Sequence, residues 1–203
     1  MEYLVSAAIG YLLGCSNMAY YLGKRHHVNL RGGGSGNLGA SNVTVLMGWK
    51  AGVLTTIHDI GKAMLAIWLA QTLLDGPHMG AVAGMAAVLG HIFPFYLGFR
   101  GGKGFASYIG AIVMLDWKFG LAIVFLILVV TLLSDYIVAG TTLTVVASPI
   151  YFGITSGSWL VAAAFCVTTG VILWKHRENY VRIFKGTELG LRSAIRGDNR
   201  VKK

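Results

Sequence analysis

The sequence predicts an all-α, polytopic integral membrane protein of about seven transmembrane helices, with its N-terminus outside and its C-terminus cytoplasmic. Three observations carry this. Of 203 residues, 55% are apolar and only 12% charged, with a mean hydropathy of +0.65, a composition too apolar for an ordinary soluble domain. Long apolar stretches match the ~20 residues that a helix needs to cross a bilayer core. Lys and Arg gather in alternate connections only, as they do when one side is retained in the cytoplasm.

Taken in order, residues 3–22, 51–74 and 79–97 are apolar stretches of full spanning length. Residues 105–115, 119–133, 136–153 and 159–174 are also apolar but mostly shorter, so each tilts, thins the bilayer or re-enters. Helices are expected throughout, because backbone amides in hydrocarbon must be satisfied within their own segment and no alternating barrel pattern is present. The residues before the first stretch include Glu2 and no Lys or Arg, so no cleaved signal is expected there. Basic residues cluster in 24–50, in 100–103 and from Lys175 onward, whereas the connections at 75–78, 116–118 and 155–158 contribute only Lys118. An odd number of spans follows, in agreement with seven. No repeat, linker or composition break divides the chain, so 1–203 is expected to be one membrane domain with a short basic tail from about 175.

The formal charge of +9 sits mostly on the cytoplasmic segments, where it meets anionic headgroups or a phosphorylated substrate; nucleic acid is not an expected partner. Cys15 and Cys166 lie within apolar stretches and form no CxxC or metal-like cluster, so they read as packing residues. Carboxylates near the motifs are few and scattered, and neither a metal nor a cofactor is expected.

Three segments break the membrane pattern. GGGSGNLGASN at 32–42 places five glycines among Ser35, Asn37, Ser41 and Asn42 on the basic side. Gly34, Gly36 and Gly39 let backbone N–H groups turn toward an anion, and Ser35, Asn37 and Asn42 add side-chain donors. Composition alone fits a flexible connector as well. HIFPFYLGFRGGKG at 91–104 ends in a glycine turn bearing Lys103. If a helix begins at Phe105, its N-terminus adds a dipole to the same place, making Gly101, Gly102, Lys103 and Gly104 a second anion nest; an interfacial lysine in a plain turn fits equally. The turn is not a Walker A loop, since Leu97 and Gly104 stand where that motif needs Gly and Ser or Thr. KHRENYVRIFKGTE at 175–188 puts His176 and Asn179 at i, i+3, for proton transfer or phosphate binding, although an amphipathic interfacial helix accounts for the same residues. Glu188 is expected to anchor the tail. Within the second span, Asp59 and Lys62 stand at i, i+3, where an unpaired charge costs a few kcal/mol, so they are expected to pair or to face a polar cavity, as structural support.

SGNLGASNV at 35–43, GHIFPFYLGFRGGKGFA at 90–106 and KHRENYVRIFKGTE at 175–188, with DIGKA at 59–63, closely resemble the PlsY family, the bacterial acyl-phosphate:glycerol-3-phosphate acyltransferases. The resemblance covers nearly the whole chain and implies seven spans in the bacterial inner membrane, with the active site on the cytoplasmic face. It implies transfer of a fatty acyl group from acyl phosphate to the 1-hydroxyl of glycerol 3-phosphate, giving lysophosphatidate and phosphate for phospholipid synthesis. The implied partners are these two substrates, membrane lipid and an upstream enzyme that makes the acyl phosphate. By matching positions, Ser35, Asn37 and Asn42 belong to the first motif, Gly101 to Gly104 to a glycerol-phosphate-binding second, and His176, Asn179 and Glu188 to a third. Ser35, Lys103, His176 and Asn179 are the catalytic candidates. One position departs: the family's first motif usually continues Asn-Val-x-Arg, and here Val45 takes the place of the arginine, leaving Arg31 and Lys50 as nearby cations. Ser41 replaces the usual Thr.

Acyl phosphate is already activated, so positioning and charge stabilisation dominate such a reaction, with His176 or a substrate phosphate oxygen taking the proton. Neither an HxxxxD signature nor a GxSxG elbow is present. The rival readings are a divergent organic-phosphate transporter and a non-catalytic membrane protein.

Overall fold

The computed structural model describes residues 1–195 and is helical throughout them, with no strand among these residues. The tail residues Arg196, Asp198, Arg200, Lys202 and Lys203, part of the basic cytoplasmic end expected above, lie outside the described residues. The helices gather into two compact units, one spanning Met1–Trp117 and one from Lys118 onward.

The first unit comprises α1 (Glu2–Cys15), α2 (Met18–Arg25), α3 (Ala40–Met47), α4 (Trp49–Leu73), α5 (Met79–Ile92) and α6 (Phe105–Leu115), with a 3-10 turn at Phe95–Leu97. Small residues set its core. A side chain at Gly10 or Gly14 would run into the backbone of Ala83 or Ala87, and one at Gly90 into that of Tyr11 and Cys15. The α1 and α5 backbones therefore touch along a small-xxx-small seam, which replaces the hydrophobic drive that lipid removes. Gly110 of α6 meets the backbone of Ile60 on α4 in the same way.

The first apolar stretch, expected as one continuous span, is broken at Ser16–Asn17. Ser16 is extended (φ −54°, ψ 130°), and the Asn17 side chain accepts the Tyr20 amide at 2.9 Å, capping α2. An N-cap asparagine favours a fresh helix start over continuation. Asn17 also donates to the Leu38 carbonyl at 3.3 Å, which ties α2 to the glycine-rich loop before α3.

The second unit holds α7 (Trp117–Ser134), α8 (Ile137–Ser156), α9 (Trp159–Lys175), α10 (Arg177–Phe184) and α11 (Leu191–Ile195). Its core is aromatic: Phe119 stacks on Tyr151 and Phe152 on Phe165, with centroids 3.8 and 4.5 Å apart. Thr169 of α9 donates to the Val145 carbonyl of α8 at 2.6 Å. Segment 175–188, for which an amphipathic interfacial helix was one of the readings, is not a single helix: α9 ends at Lys175 and α10 ends at Phe184, and the two meet at His176 with a 46° bend.

Four helices or helix runs, Trp49–Leu73, Met79–Leu97, Trp117–Ser134 and Ile137–Ser156, are long and apolar enough to cross a membrane, and the bent pair α9–α10 makes a fifth.

Candidate active site

In the first unit both glycine-rich segments end on helix N-termini. Gly39 precedes α3 and Gly104 precedes α6, and the free N–H groups of a first helical turn favour an anion. Phe105 opens α6, as the sequence suggested. Gly104 has φ +90°, the left-handed region, and a side chain there would press on Ile92 and Val88. Only glycine suits that turn.

The loop around Ser35 is held from within. Asn42 accepts the Ser35 amide at 2.8 Å and donates to the carbonyls of Leu30 at 2.8 Å and Gly33 at 3.3 Å. Its side chain is buried and serves the loop's own backbone. Gly34 and Gly36 have φ +57° and +66°, and a side chain at Gly34 would strike the Asn42 oxygen. Ser35 itself is exposed and Asn37 half-buried, so their polar atoms border solvent on a fixed backbone.

The Gly101–Gly104 turn is fixed from below. The Gly101 amide donates to Ile92 O at 3.0 Å and the Gly102 amide to His91 O at 3.1 Å, which caps the end of α5. A Cβ on Gly101 would strike His91 O, and one on Gly102 would strike His91 Nε2. Lys103 is half-buried at the mouth of α6.

Arg31 joins the two segments. Its Nη2 donates to Leu97 O at 2.9 Å and Arg100 O at 2.8 Å, strapping the base of the Ser35 loop to the chain leading into the glycine turn. The two cations near Val45 are thus placed: Arg31 in this strap, and Lys50 exposed above the Trp49 ring at 5.8 Å. Val45 is half-buried on α3.

Beneath the glycine turn lies a buried polar cluster whose full extent sequence reading missed. Asp59 and Lys62 pair at 3.0 Å as expected, and His91 of α5 joins them, with Nδ1 2.8 Å from Lys62 Nζ and 3.3 Å from Asp59. Lys62 also donates to Ser16 O at 2.6 Å, the carbonyl set free by the break between α1 and α2. His58 completes the group through Ser16 Oγ at 2.9 Å and Asp59 at 3.5 Å. Asp59, Lys62 and His91 are 2%, 6% and 3% exposed. The sequence signal for His91 was its place one turn before a Pro-interrupted helix end, which does not by itself name a partner about thirty residues away in α4.

In the second unit His176 sits at the α9–α10 bend, buried, with Nδ1 2.8 Å from the Ile172 carbonyl. A carbonyl only accepts, so Nδ1 is the donor in this contact. Asn179 and Arg182 both donate to Glu188, at 2.5 Å each. Glu188 therefore anchors the segment after α10 by gripping two side chains of that helix. Tyr180 reaches Thr142 of α8 at 2.9 Å. Farther along, the Leu191 amide donates to Asp135 O at 2.7 Å and that of Arg192 to Asp135 Oδ1 at 2.8 Å.

The family model described as glycerol-3-phosphate acyltransferase matches residues 4–186. Glycerol-3-phosphate acyltransferase 1 of Oceanobacillus iheyensis is 34% identical, over 95% of this chain and 97% of its own. The glycerol-3-phosphate acyltransferase of Rubrobacter xylanophilus is 38% identical over 89% and 90%. Among solved structures, PlsY, an integral membrane glycerol 3-phosphate acyltransferase, aligns in its glycerol 3-phosphate form with a TM-score of 0.86 at 28% identity, covering 96% of this chain and 98% of that one. Its lysophosphatidic acid form aligns with a TM-score of 0.81 over 94% and 95%. Matched from end to end in sequence and in helical fold, this chain belongs to the glycerol-3-phosphate acyltransferase family.

Proposed function

We propose that the protein transfers a fatty acyl group from acyl phosphate to the 1-hydroxyl of glycerol 3-phosphate, on the cytoplasmic face of a bacterial inner membrane that it crosses seven times. The observation that carries this reading is the pair of rigid glycine nests at the N-termini of α3 and α6, joined by Arg31. Two nests suit a reaction between two anionic substrates, and the relatives named above act on glycerol 3-phosphate.

Lys103, Gly101, Gly102 and Gly104 hold the acceptor's phosphate through one full charge, backbone N–H groups and the α6 dipole. Ser35, with Gly34, Gly36, Asn37 and Gly39, holds the acyl phosphate, and Asn42 keeps that loop in shape. His176 and Asn179 are assigned to the donor on the strength of their motif. The acceptor oxygen forms a bond to the acyl carbon, and the bond from that carbon to the phosphate oxygen breaks. Inorganic phosphate leaves with the electron pair. The hydroxyl proton passes to a phosphate oxygen or to His176. Asp59, Lys62 and Glu188 support the scaffold. The donor implies an upstream enzyme that makes acyl phosphate.

The test is phosphate release by the purified protein in lipid, given acyl phosphate with and without glycerol 3-phosphate, with the lipid product identified by mass. Acceptor-dependent release with lysophosphatidate is the expected result. Release indifferent to the acceptor, or none at all, would remove the reading. Ser35→Ala and Lys103→Ala are each expected to lower kcat/KM at least a hundredfold.

A further inference from the structure

We propose that His91 is the positioning residue of the glycine turn: the Lys62–Asp59 pair fixes its ring, and the Nε2 edge of that ring sets the height and orientation of Gly102. The proposal deepens the reading above and rests on it.

The ring is held at Nδ1. The Lys62 ammonium has three protons and no lone pair. It has three acceptors: Ser16 O at 2.6 Å, His91 Nδ1 at 2.8 Å and Asp59 Oδ1 at 3.0 Å. His91 Nδ1 also lies 3.3 Å from Asp59 Oδ1, so the pair grips this one ring atom from both sides. One carboxylate and one ammonium cancel, whereas a charged imidazole would leave a net positive charge buried in a membrane helix bundle, at a cost of several kcal/mol. The ring is 3% exposed and cannot turn away from the cluster without opening it.

Nε2 then faces the glycine turn. A methyl group on Gly102 would fall on Nε2, with ring carbons Cε1 and Cδ2 at 2.7 and 2.9 Å, so the Gly102 Cα rests on this edge of the ring. The Gly102 amide is held by the backbone carbonyl of the same histidine at 3.1 Å. His91 thus grips Gly102 at two points, and the residue that follows is Lys103. Any rotation of the ring tilts the peptide that aims the lysine and the α6 N-terminus. The chain of contacts runs from the break between α1 and α2, through Lys62 and His91, to the acceptor's nest.

A positioning role predicts a selective kinetic change. His91→Phe keeps a planar ring but offers Lys62 and Asp59 no ring nitrogen. His91→Gln returns a polar amide to the same pair. With the enzyme reconstituted in lipid, the Phe variant is expected to raise KM for glycerol 3-phosphate about tenfold, the loss of one well-placed hydrogen-bonded contact, and to leave KM for acyl phosphate within about twofold. The Gln variant is expected to recover most of that loss. Equal changes in both KM values, a fall in kcat alone, or no recovery with Gln would overturn the proposal. Wild-type protein inactive with both substrates would overturn the functional reading and this proposal with it. If the Phe variant does not elute as a folded monodisperse species, Gly102→Ala tests the same contact from the other side. It is expected to raise KM for glycerol 3-phosphate selectively, and an unselective change would again overturn the assignment.

Discussion

Replacing Lys62 by Met keeps the length and most of the volume of the side chain and removes only its charge and donors. The structure states what is lost: bonds to Ser16 O at 2.6 Å, His91 Nδ1 at 2.8 Å and Asp59 Oδ1 at 3.0 Å. It leaves Asp59, 2% exposed, as a carboxylate in contact with two imidazoles and no permanent cation. Breaking one side of a buried ion pair costs about 3–5 kcal/mol, because the remaining charge keeps its desolvation penalty. For a chain of this size that corresponds to a fall in Tm of about 10 °C. Thermal unfolding in detergent, followed by loss of the monodisperse peak, measures it. The double variant Asp59→Leu with Lys62→Met removes both charges and is expected to be more stable than Lys62→Met alone. A Lys62→Met protein within about 1 kcal/mol of wild type, or a double variant less stable than the single one, would refute the view of this cluster as a desolvated, mutually compensating pair.

Arg31→Ala releases the strap to Leu97 and Arg100, and is expected to lower kcat/KM about tenfold, read in the phosphate-release assay, with a Tm loss of a few degrees. Val45→Arg restores the cation that the family's first motif usually carries on α3, and an increase of severalfold in kcat/KM in the phosphate-release assay is expected. Glu188→Gln keeps the shape of the contact with Asn179 and Arg182 but not its charge; because the pair is partly exposed, a stability loss of about 1 kcal/mol is expected, read by thermal unfolding, with a larger effect on the donor's KM than on the acceptor's.

Features whose cause is local were legible in the sequence. The pairing of Asp59 with Lys62 follows from i, i+3 spacing on one helix, and the start of α6 at Phe105 follows from the glycine turn before it. Glu188 as an anchor was legible in role though not in partner. The break at Ser16–Asn17 was missed because apolar length alone was read, although Asn is a favoured N-cap residue. The bend at His176 was missed because helical spacing continues through it. His91 and Arg31 were beyond local reading for a different reason. The partners of His91 lie on α4, and those of Arg31 in the turn after α5, so only tertiary packing shows that each side chain is committed to protein groups. Asn42 illustrates the same limit: its residue type suggests a ligand donor, while its neighbours in space make it the brace of its own loop.

The Asp59–Lys62 pair also bears on how the chain is made. Both members lie within α4, so the ion pair closes as soon as that helix has coiled, before the segment carrying His91 has followed it out of the ribosome. The two charges therefore enter the lipid during synthesis as a compact dipole, with translocation of bare ions avoided. The break between α1 and α2 precedes them and has its Ser16 carbonyl ready to receive the lysine. A glycosylation-tag assay on truncated chains ending after α4 is expected to show efficient insertion of the wild-type helix.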